Sequence, residues 1–386
     1  MDRAYVPAPT RREVAATLFA GVAGIMFAGV GPLLLGLLHQ SGRLSASQLG
    51  QAGTAELLAM GIGAGATGAI MGGRHLRPLA IGCGVAMALL NAATPMLAGW
   101  SLVAVRAANG LPSGALVWLM TALIVRLPRP ERWAAIYLTT QGAAQLTMLA
   151  MLGAWGIAAR GADDGFVALA TLGGLTAMAG TMVPRRFAAL PVAPDAPAGW
   201  PAPRGLVALG AAFCFNAGIL ALWIYLEPVS RQAGHEAGVA DLAFSLSLAA
   251  QVAGGALATW LAGRVRWFPM LATALAAMVA LMAVYAMRPP APLFLGVSTL
   301  FGFLWMLAAP FFTPLAIAAD PTRRAAALGS GAALLGCSTG PFLASLAVGD
   351  GDMRGAVATA MTLMAAAIAI VVALHVTRRR ATPLPA

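Results

Sequence analysis

Apolar residues form twelve long stretches along almost the whole chain, and short polar segments separate them. A membrane-spanning α-helix needs roughly 20 apolar residues, so each stretch has the length of one span. The pattern therefore predicts an all-α integral membrane protein with twelve transmembrane helices. The predicted spans cover residues 13–38, 47–72, 79–98, 100–125, 134–159, 165–183, 204–229, 240–262, 268–287, 291–318, 326–347 and 355–377.

The composition supports a membrane environment. The chain has 386 residues, of which 60% are hydrophobic and 10% are charged, and its mean hydropathy is +0.82. A soluble domain carries roughly 25% charged residues, so an ordinary soluble enzyme is excluded. The first apolar stretch follows Arg11 and Arg12 and is longer than the core of a signal peptide. We therefore expect this stretch to be a membrane span that is not cleaved.

Arginines mark one side of the membrane. With twelve spans, eighteen arginines fall on the same side as the N-terminus and five fall on the other side. Because positively charged loops stay in the cytoplasm, this asymmetry places both termini there. The net charge of +11 is spread in small groups between spans, which favours membrane orientation over nucleic-acid binding.

A proline-rich segment over 184–203 predicts a cytoplasmic linker between two halves, 1–183 and 204–386. The halves resemble each other at an offset near 191 residues. The segment that begins at Pro130 corresponds to the one that begins at Pro321, and Gly73-Arg74 corresponds to Gly263-Arg264. Such duplication is typical of transporters with a binding site near the middle of the membrane. We expect two pseudo-repeated six-helix bundles around a central cavity.

Several chemistries are disfavoured by the residues themselves. The three cysteines and four histidines stand alone, without the spacing of a metal site, so neither a metal nor a cofactor is expected. The chain has no lysine, which excludes a phosphate-binding loop of the ATPase type. The loops offer no catalytic constellation. An enzyme is therefore disfavoured, and an ion gradient or exchange is the expected source of energy.

These features together make the chain similar to the major facilitator superfamily over its whole length, although the local motifs are degenerate. That family has a glycine-rich cytoplasmic turn between helices 2 and 3, with an aspartate followed by arginines. The resemblance assigns a gating turn here. Gly73 stands where the aspartate would be. The residues of the turn are Gly68, Gly72, Gly73, Arg74 and Arg77.

Two further positions bear on the family resemblance. Arg106 and Asn109, before Gly110, are similar to the arginine-glycine motif of the family's helix 4. The glycine-proline signature of drug/proton antiporters is missing from helix 5, while Gly340-Pro341 occurs in helix 11. This difference favours uptake over efflux.

Charged residues inside the spans are the first candidates for function, because charge is costly in the hydrocarbon core. The predicted spans contain three: Glu56, Arg106 and Glu227. A guanidinium stays protonated and can bind a carboxylate with two hydrogen bonds, so we assign Arg106 to an anionic substrate group. Glu56 or Glu227 is the predicted proton carrier. The alternative is that Glu56 and Arg106 form a structural salt bridge, and that Glu227 lies at the membrane interface.

Polar and aromatic residues in the spans are predicted to line the substrate cavity. Each one alone is also compatible with helix packing or an interhelical hydrogen bond. Collectively they suit a small, partly apolar organic acid, of which an aromatic carboxylate is one example. The set comprises Arg106, Asn109, Gln145, Asn216, Trp223, Gln251 and Trp305.

Small residues and prolines predict helix packing and helix kinks. Gly61 with Gly65, and Gly68 with Gly72, form small-residue faces on the second span, and Gly336 with Gly340 does so on the eleventh. Prolines within spans remove backbone hydrogen bonds and predict kinks. They occur at Pro32, Pro310 and Pro314.

The predicted protein is thus a monomeric secondary transporter of the bacterial inner membrane. Its predicted partners are a small-molecule substrate, protons and the lipid bilayer, with no nucleic acid. Proton-coupled uptake of an organic acid is the favoured function. The alternatives are proton-coupled efflux of small hydrophobic compounds and a non-transporting receptor with a transporter fold.

Overall fold

Twelve long α-helices follow one another in the computed structural model, which describes residues 9–190, 200–236, 238–348 and 352–380. We label them α1 to α12 in chain order. The first six are α1 (Arg11–Gln40), α2 (Ala46–Ile70), α3 (Leu76–Ala93), α4 (Gly99–Ile124), α5 (Pro130–Ala154) and α6 (Ala162–Gly180). The others are α7 (Pro203–Trp223), α8 (Val239–Leu261), α9 (Trp267–Ala286), α10 (Ala291–Ala308, continued as Phe312–Ala319), α11 (Gly329–Ala347) and α12 (Arg354–Arg380).

The all-α fold with twelve long helices confirms the prediction from the apolar pattern. Nine helices of the described chain are long and apolar enough to cross a membrane by length and composition. The other three are α2, α5 and α6, which have 25, 25 and 19 residues. Helices of that length also match the thickness of a bilayer. The protein is therefore a multi-pass membrane protein.

The first two helices begin at capping boxes. The Thr10 side chain accepts from the Glu13 backbone N–H, and the Glu13 carboxylate accepts from the Thr10 backbone N–H. Ser45 and Gln48 form the same reciprocal pair before α2. Each box satisfies backbone N–H groups that have no partner within the helix. These local signals fix where the two spans start.

Backbone contacts divide the chain into two compact units. The first contains α1 to α4, the part of α5 from Thr140 and α6. The second contains residues 128–139 and α7 to α12. The predicted linker over 184–203 lies partly outside the described residues, because 191–199 are not described. The predicted halves, 1–183 and 204–386, therefore stay a prediction.

In the first unit, glycines bring α2 and α4 into backbone contact. A Cβ at Gly114 would collide with the Met60 carbonyl oxygen, and one at Gly63 would collide with the Leu111 carbonyl oxygen. A Cβ at Gly65, in contrast, would have no atom within 4 Å. Gly63 therefore sets the face of α2 that contacts α4. The predicted face paired Gly61 with Gly65, and Gly65 does not make this contact.

In the second unit, α11 packs on α7 through the predicted pair of glycines. A Cβ at Gly336 or Gly340 would collide with the carbonyl oxygens of Phe213 and Ala217, respectively. Close approach of backbones is the usual role of small residues spaced four apart in membrane helices. The packing role predicted for Gly336 and Gly340 is confirmed.

One predicted span needs correction. The seventh span does not reach residue 229. Helix α7 ends at Trp223, and a separate short helix, Leu226–Gln232, follows. Pro228 lies in the first turn of the short helix, where a missing N–H is tolerated, whereas inside a longer helix it would break a hydrogen bond. Helix α1 is continuous through Pro32, and the kink predicted there stays a prediction.

Candidate functional site

A buried ion pair connects α2 and α4 in the first unit. Arg106 donates from Nε to Glu56 Oε2 at 2.8 Å and from Nη2 to Glu56 Oε1 at 2.5 Å. Both side chains are 0% exposed. Two parallel hydrogen bonds between a guanidinium and a carboxylate are the strongest ion-pair geometry that side chains form. The two charges predicted on separate spans therefore lie together as one neutral unit.

Three further polar residues complete this cluster. Arg106 Nη1 donates to Asn91 Oδ1 at 2.9 Å and to Thr94 Oγ1 at 3.3 Å. Asn109 Nδ2 donates to Glu56 Oε1 at 2.8 Å. Asn91 Nδ2 donates in turn to Asn109 Oδ1 at 3.3 Å. The charges are thus hydrogen-bonded on several sides, as burial in an apolar interior requires.

Two aromatic rings cover the guanidinium. Arg106 Cζ lies 4.2 Å from the centre of the Phe27 ring on α1 and 5.2 Å from that of Phe166 on α6. The electron-rich face of a ring attracts a cation most strongly where water is excluded. Residues from α1, α2, α3 and α6 therefore converge on one arginine of α4.

Local packing explains how the pair forms. Gly110 lies one turn after Arg106, and a Cβ there would collide with the Glu56 carbonyl oxygen. The absence of a side chain at Gly110 lets α4 approach α2 closely enough for Arg106 to reach Glu56. Replacing Gly110 with a larger residue would push α4 away from α2 and so separate Arg106 from Glu56.

Sequence reasoning found Glu56, Arg106 and Asn109 but missed Asn91 and Thr94. Asn91 was visible as a polar residue within the predicted span 79–98. The sequence did not indicate Phe27 and Phe166, because a phenylalanine that contacts a cation cannot be told from one that packs in the core of an apolar span. Their role depends on which helices are neighbours, and that information comes only from the structure.

A second cluster lies in the second unit and consists of aromatic rings. The Trp223 ring lies edge-on to Phe244, with centroids 4.8 Å apart, and to Trp305, with centroids 5.8 Å apart. All three side chains are half-buried. The structure thus brings together the two predicted tryptophans from α7 and α10 and adds Phe244 from α8.

The predicted amides differ in their bonding. Gln145 Nε2 donates to the Ile25 carbonyl oxygen at 3.0 Å, and Asn216 Nδ2 donates to the Ala212 carbonyl oxygen at 2.8 Å. Gln251 is 7% exposed, and its Nε2 has no hydrogen-bond partner in the described residues. Gln145 therefore has the interhelical role that was the alternative reading, while the donor of Gln251 is unused.

Glu227 lies apart from the buried pair. It belongs to the short helix after α7, is 38% exposed and forms an ion pair with Arg231 one turn later. Such an exposed pair four residues apart contributes little to stability. Its position fits the interfacial alternative given for this residue.

The predicted gating turn joins α2 to α3. Gly72 and Gly73 have φ angles of +53° and +81°, which only glycine adopts without strain. Arg77 Nε donates to the Val183 carbonyl oxygen at 2.6 Å, whereas Arg74 is exposed. Gly68 lies within the last turn of α2.

Arg126, after the end of α4, lies beside this turn. A Cβ at Gly73 would lie 3.4 Å from Arg126 Nη2, and the guanidinium covers the Phe187 ring at 5.2 Å. Arg126 Nε donates to the Ala188 carbonyl oxygen at 2.8 Å. Burial lowers the pKa of Arg126 to about 10, because the charged form loses water. Arg77 and Arg126 thus bind backbone carbonyls of the segment that follows α6.

The sequence matches no protein-family model and no curated protein. Solved structures do resemble the chain. A variant of the E. coli fucose:proton symporter FucP has a TM-score of 0.74 at 14% identity, covering 94% of this chain and 98% of that one. The human organic anion transporter MFSD10 has a TM-score of 0.71 at 19% identity, covering 95% of this chain and 100% of that one. The proton:xylose symporter XylE has a TM-score of 0.70 at 14% identity, covering 93% and 94%.

The molecule therefore belongs to the class of multi-pass helical membrane proteins with a transporter fold. That fold is the major facilitator superfamily fold, as the sequence resemblance predicted.

Proposed function

We propose that the protein is a secondary active transporter that takes up a small organic acid together with protons by alternating access. The fold supports secondary transport in general, because its structural neighbours include two proton symporters and an organic anion transporter. The observation that carries the coupling is the fully buried Glu56–Arg106 pair. The arginine asymmetry of the loops supports the bacterial inner membrane with both termini in the cytoplasm.

The pair offers a direct exchange between a substrate carboxylate and a proton. A substrate carboxylate that binds Arg106 takes the place of Glu56. Glu56 then has no cation beside it in an apolar interior, where a carboxylate is more stable with a proton bound. One anion and one proton therefore enter the site together. Release of the substrate restores the Glu56–Arg106 pair and returns the proton to water.

Arg106 and Asn109 are the proposed acid-binding residues, and Glu56 is the proposed proton carrier. Glu227 is the less favoured carrier, because it lies outside α7 and has its own partner, Arg231. The turn that contains Gly68, Gly72, Gly73, Arg74 and Arg77 is the proposed cytoplasmic gate. We propose that the protein acts as a monomer.

Reconstituted vesicles test the coupling through two modes of transport. Exchange of labelled for unlabelled 4-hydroxybenzoate needs no net proton movement, whereas accumulation driven by a pH gradient does. Glu56→Gln keeps an oxygen that Arg106 can bind but cannot carry a proton at neutral pH. We expect this variant to keep exchange and to lose accumulation, and we expect Glu227→Gln to keep both.

If Glu56→Gln accumulated the acid like the unmodified protein, Glu56 would be a structural ion-pair partner only. Protein-free vesicles give the rate at which the acid crosses the bilayer unaided.

A further inference from the structure

Five arginines lie together at the turn between α2 and α3. Backbone hydrogen bonds join this turn to the segment after α6, from Phe187 N to the Gly73 oxygen at 3.0 Å and from Leu76 N to the Arg185 oxygen at 3.3 Å. The end of α4 lies beside the same turn, as the position of Arg126 shows. Three parts of the first unit therefore bring their cations to one place. The arginines are Arg74, Arg77, Arg126, Arg185 and Arg186.

This group of arginines has no acidic partner. None of the five forms an ion pair in the described part of the chain. Arg126 donates from Nε and Nη1 to the carbonyl oxygens of Ala188 and Ala122, and its Nη2 has no acceptor among the described residues. Burial lowers the pKa of Arg126 to about 10, so the guanidinium is still charged at neutral pH. Like charges held this close repel each other, and an anion beside them would offset that repulsion.

The corresponding turn of the second unit has an anion of its own. Gly263, which the sequence repeat pairs with Gly73, has a φ of +77°, close to the +81° of Gly73. A Cβ at Gly263 would lie 3.6 Å from Oε1 of Glu131, which belongs to the same unit. A Cβ at Gly73 would lie 3.4 Å from Arg126 Nη2 instead. The same backbone position therefore faces a carboxylate in one unit and a guanidinium in the other.

Apolar side chains next to the first turn indicate which kind of anion fits. Ile70, two residues before Gly72, is 80% exposed, and Met182, at the start of the segment that pairs with the turn, is 58% exposed. Gly72 is exposed, and a Cβ there would have no described atom within 4 Å. The turn can therefore be reached from outside the protein. Exposed apolar groups beside arginines at the end of a span match the boundary between the acyl chains and the headgroups of a bilayer.

We infer that this turn binds the phosphate group of an anionic phospholipid. A phosphate oxygen accepts a hydrogen bond from Arg126 Nη2, and the four other arginines add positive charge around it. Ile70 and Met182 contact the acyl chains. The lipid thus supplies to the first unit the negative charge that Glu131 supplies to the second. The inference goes beyond the proposed transport and does not depend on the coupling proposed for Glu56.

Native mass spectrometry of the purified full-length protein in detergent tests this by counting bound lipids. Dioleoylphosphatidylglycerol is compared with dioleoylphosphatidylcholine, which has the same acyl chains and a phosphate but no net charge. We expect the first phosphatidylglycerol to bind about tenfold more tightly than phosphatidylcholine. Glycerol 3-phosphate in excess carries the anionic phosphate without acyl chains, and we expect it to leave the bound lipid in place.

Two variants remove the proposed contact by different routes. Arg126→Gln removes the guanidinium, and Gly73→Asp places a carboxylate beside it. We expect both to bind phosphatidylglycerol about tenfold more weakly, with phosphatidylcholine unchanged. Gly73→Asn is the matched control for Gly73→Asp, because both side chains tolerate a positive φ but the amide has no charge. Arg264→Gln, at the corresponding turn of the second unit, is the control for Arg126→Gln. We expect both controls to keep the preference for phosphatidylglycerol.

The inference is overturned if the two lipids bind equally, or if folded Arg126→Gln and Gly73→Asp both keep the preference. Equal losses in Gly73→Asn and Gly73→Asp would also overturn it, since the shape of the turn and not its charge would then control binding. Displacement of the lipid by glycerol 3-phosphate would identify a soluble phosphate as the ligand instead. Equal melting temperatures identify the variants that remain folded.

Asp195 provides a check on an internal partner. It lies in 191–199, outside the described residues, a few positions after the segment that pairs with the turn. We expect Asp195→Asn to bind phosphatidylglycerol like the unmodified protein. Tighter binding by this variant would mean that Asp195 competes for the arginines, and would overturn the lipid as their partner. All of these measurements are made without transport, so they leave the proposed coupling to its own test.

Discussion

At the residue scale, the chemistry of the first unit depends on one arginine and one glutamate that neutralise each other. Each charge alone would be costly in the apolar interior, and together they form a hydrogen-bonded pair with Asn91 and Asn109. In the proposed mechanism, the contact that stabilises the fold is also the one in which a substrate carboxylate replaces Glu56.

A double-mutant cycle tests the energetic part of this account. We expect Glu56→Leu to lower the free energy of unfolding by about 3–5 kcal/mol, because it leaves the Arg106 charge buried without its partner. The double variant Glu56→Leu with Arg106→Leu has no unpaired charge, so we expect it to be more stable than Glu56→Leu alone. Denaturant unfolding in detergent compares Glu56→Leu, Arg106→Leu and the double variant with the unmodified protein.

Additive effects of the two substitutions would mean that Glu56 and Arg106 do not interact, which would contradict the ion pair.

The sequence located both residues because charge inside an apolar span is conspicuous. It left open whether they were partners, because the contact depends on how α2 and α4 are turned towards each other. The sequence also could not show that Gln251 Nε2 lacks a hydrogen-bond partner in the described residues, because the bonding of an amide depends on its neighbours in the fold.

At the element scale, glycine positions set how closely helices approach. The sequence predicted twelve helices from the length of the apolar stretches, and the structure has them. It did not identify which face of α2 meets α4, because glycines occupy several faces of that helix. Gly63 makes the contact and Gly65 does not. A kink was predicted at Pro310, and the structure has a short 3₁₀ turn there, Ala309–Phe311, between the two parts of α10.

Alanine substitutions at two glycines of α2 test the packing register. Gly63→Ala places a methyl group against the Leu111 carbonyl oxygen, so we expect a loss of about 1–3 kcal/mol of stability. Gly65→Ala has free space around its Cβ and gains helix propensity, so we expect it to be neutral or to stabilise by up to about 1 kcal/mol. Thermal unfolding in detergent compares the two variants. Equal changes in stability for the two variants would contradict a contact between α2 and α4 through Gly63.

At the scale of the whole molecule, charge in the loops predicts how the protein lies in the membrane. The apolar pattern and the arginine count were sufficient to propose this orientation without any structure. Ser41, between α1 and α2, and Arg74, between α2 and α3, are both exposed and lie on opposite predicted sides. They provide a matched pair of positions for labelling.

We expect a cysteine at position 41 to react with a membrane-impermeant maleimide in intact cells. A cysteine at position 74 is expected to react only after the cells are permeabilised. Both Ser41→Cys and Arg74→Cys are made in a background in which the three native cysteines, Cys83, Cys214 and Cys337, are replaced by alanine. The opposite labelling pattern would place the termini outside and reverse the proposed orientation.

The central claim is that Glu56 moves a proton with each substrate anion, and proton entry measures it most directly. Vesicles containing the protein and an internal pH-sensitive dye start with equal pH on both sides, and 4-hydroxybenzoate is added outside. We predict acidification of the interior beyond that of protein-free vesicles, retained by Glu227→Gln and lost by Glu56→Gln. Acidification by Glu56→Gln at the rate of the unmodified protein would contradict the account.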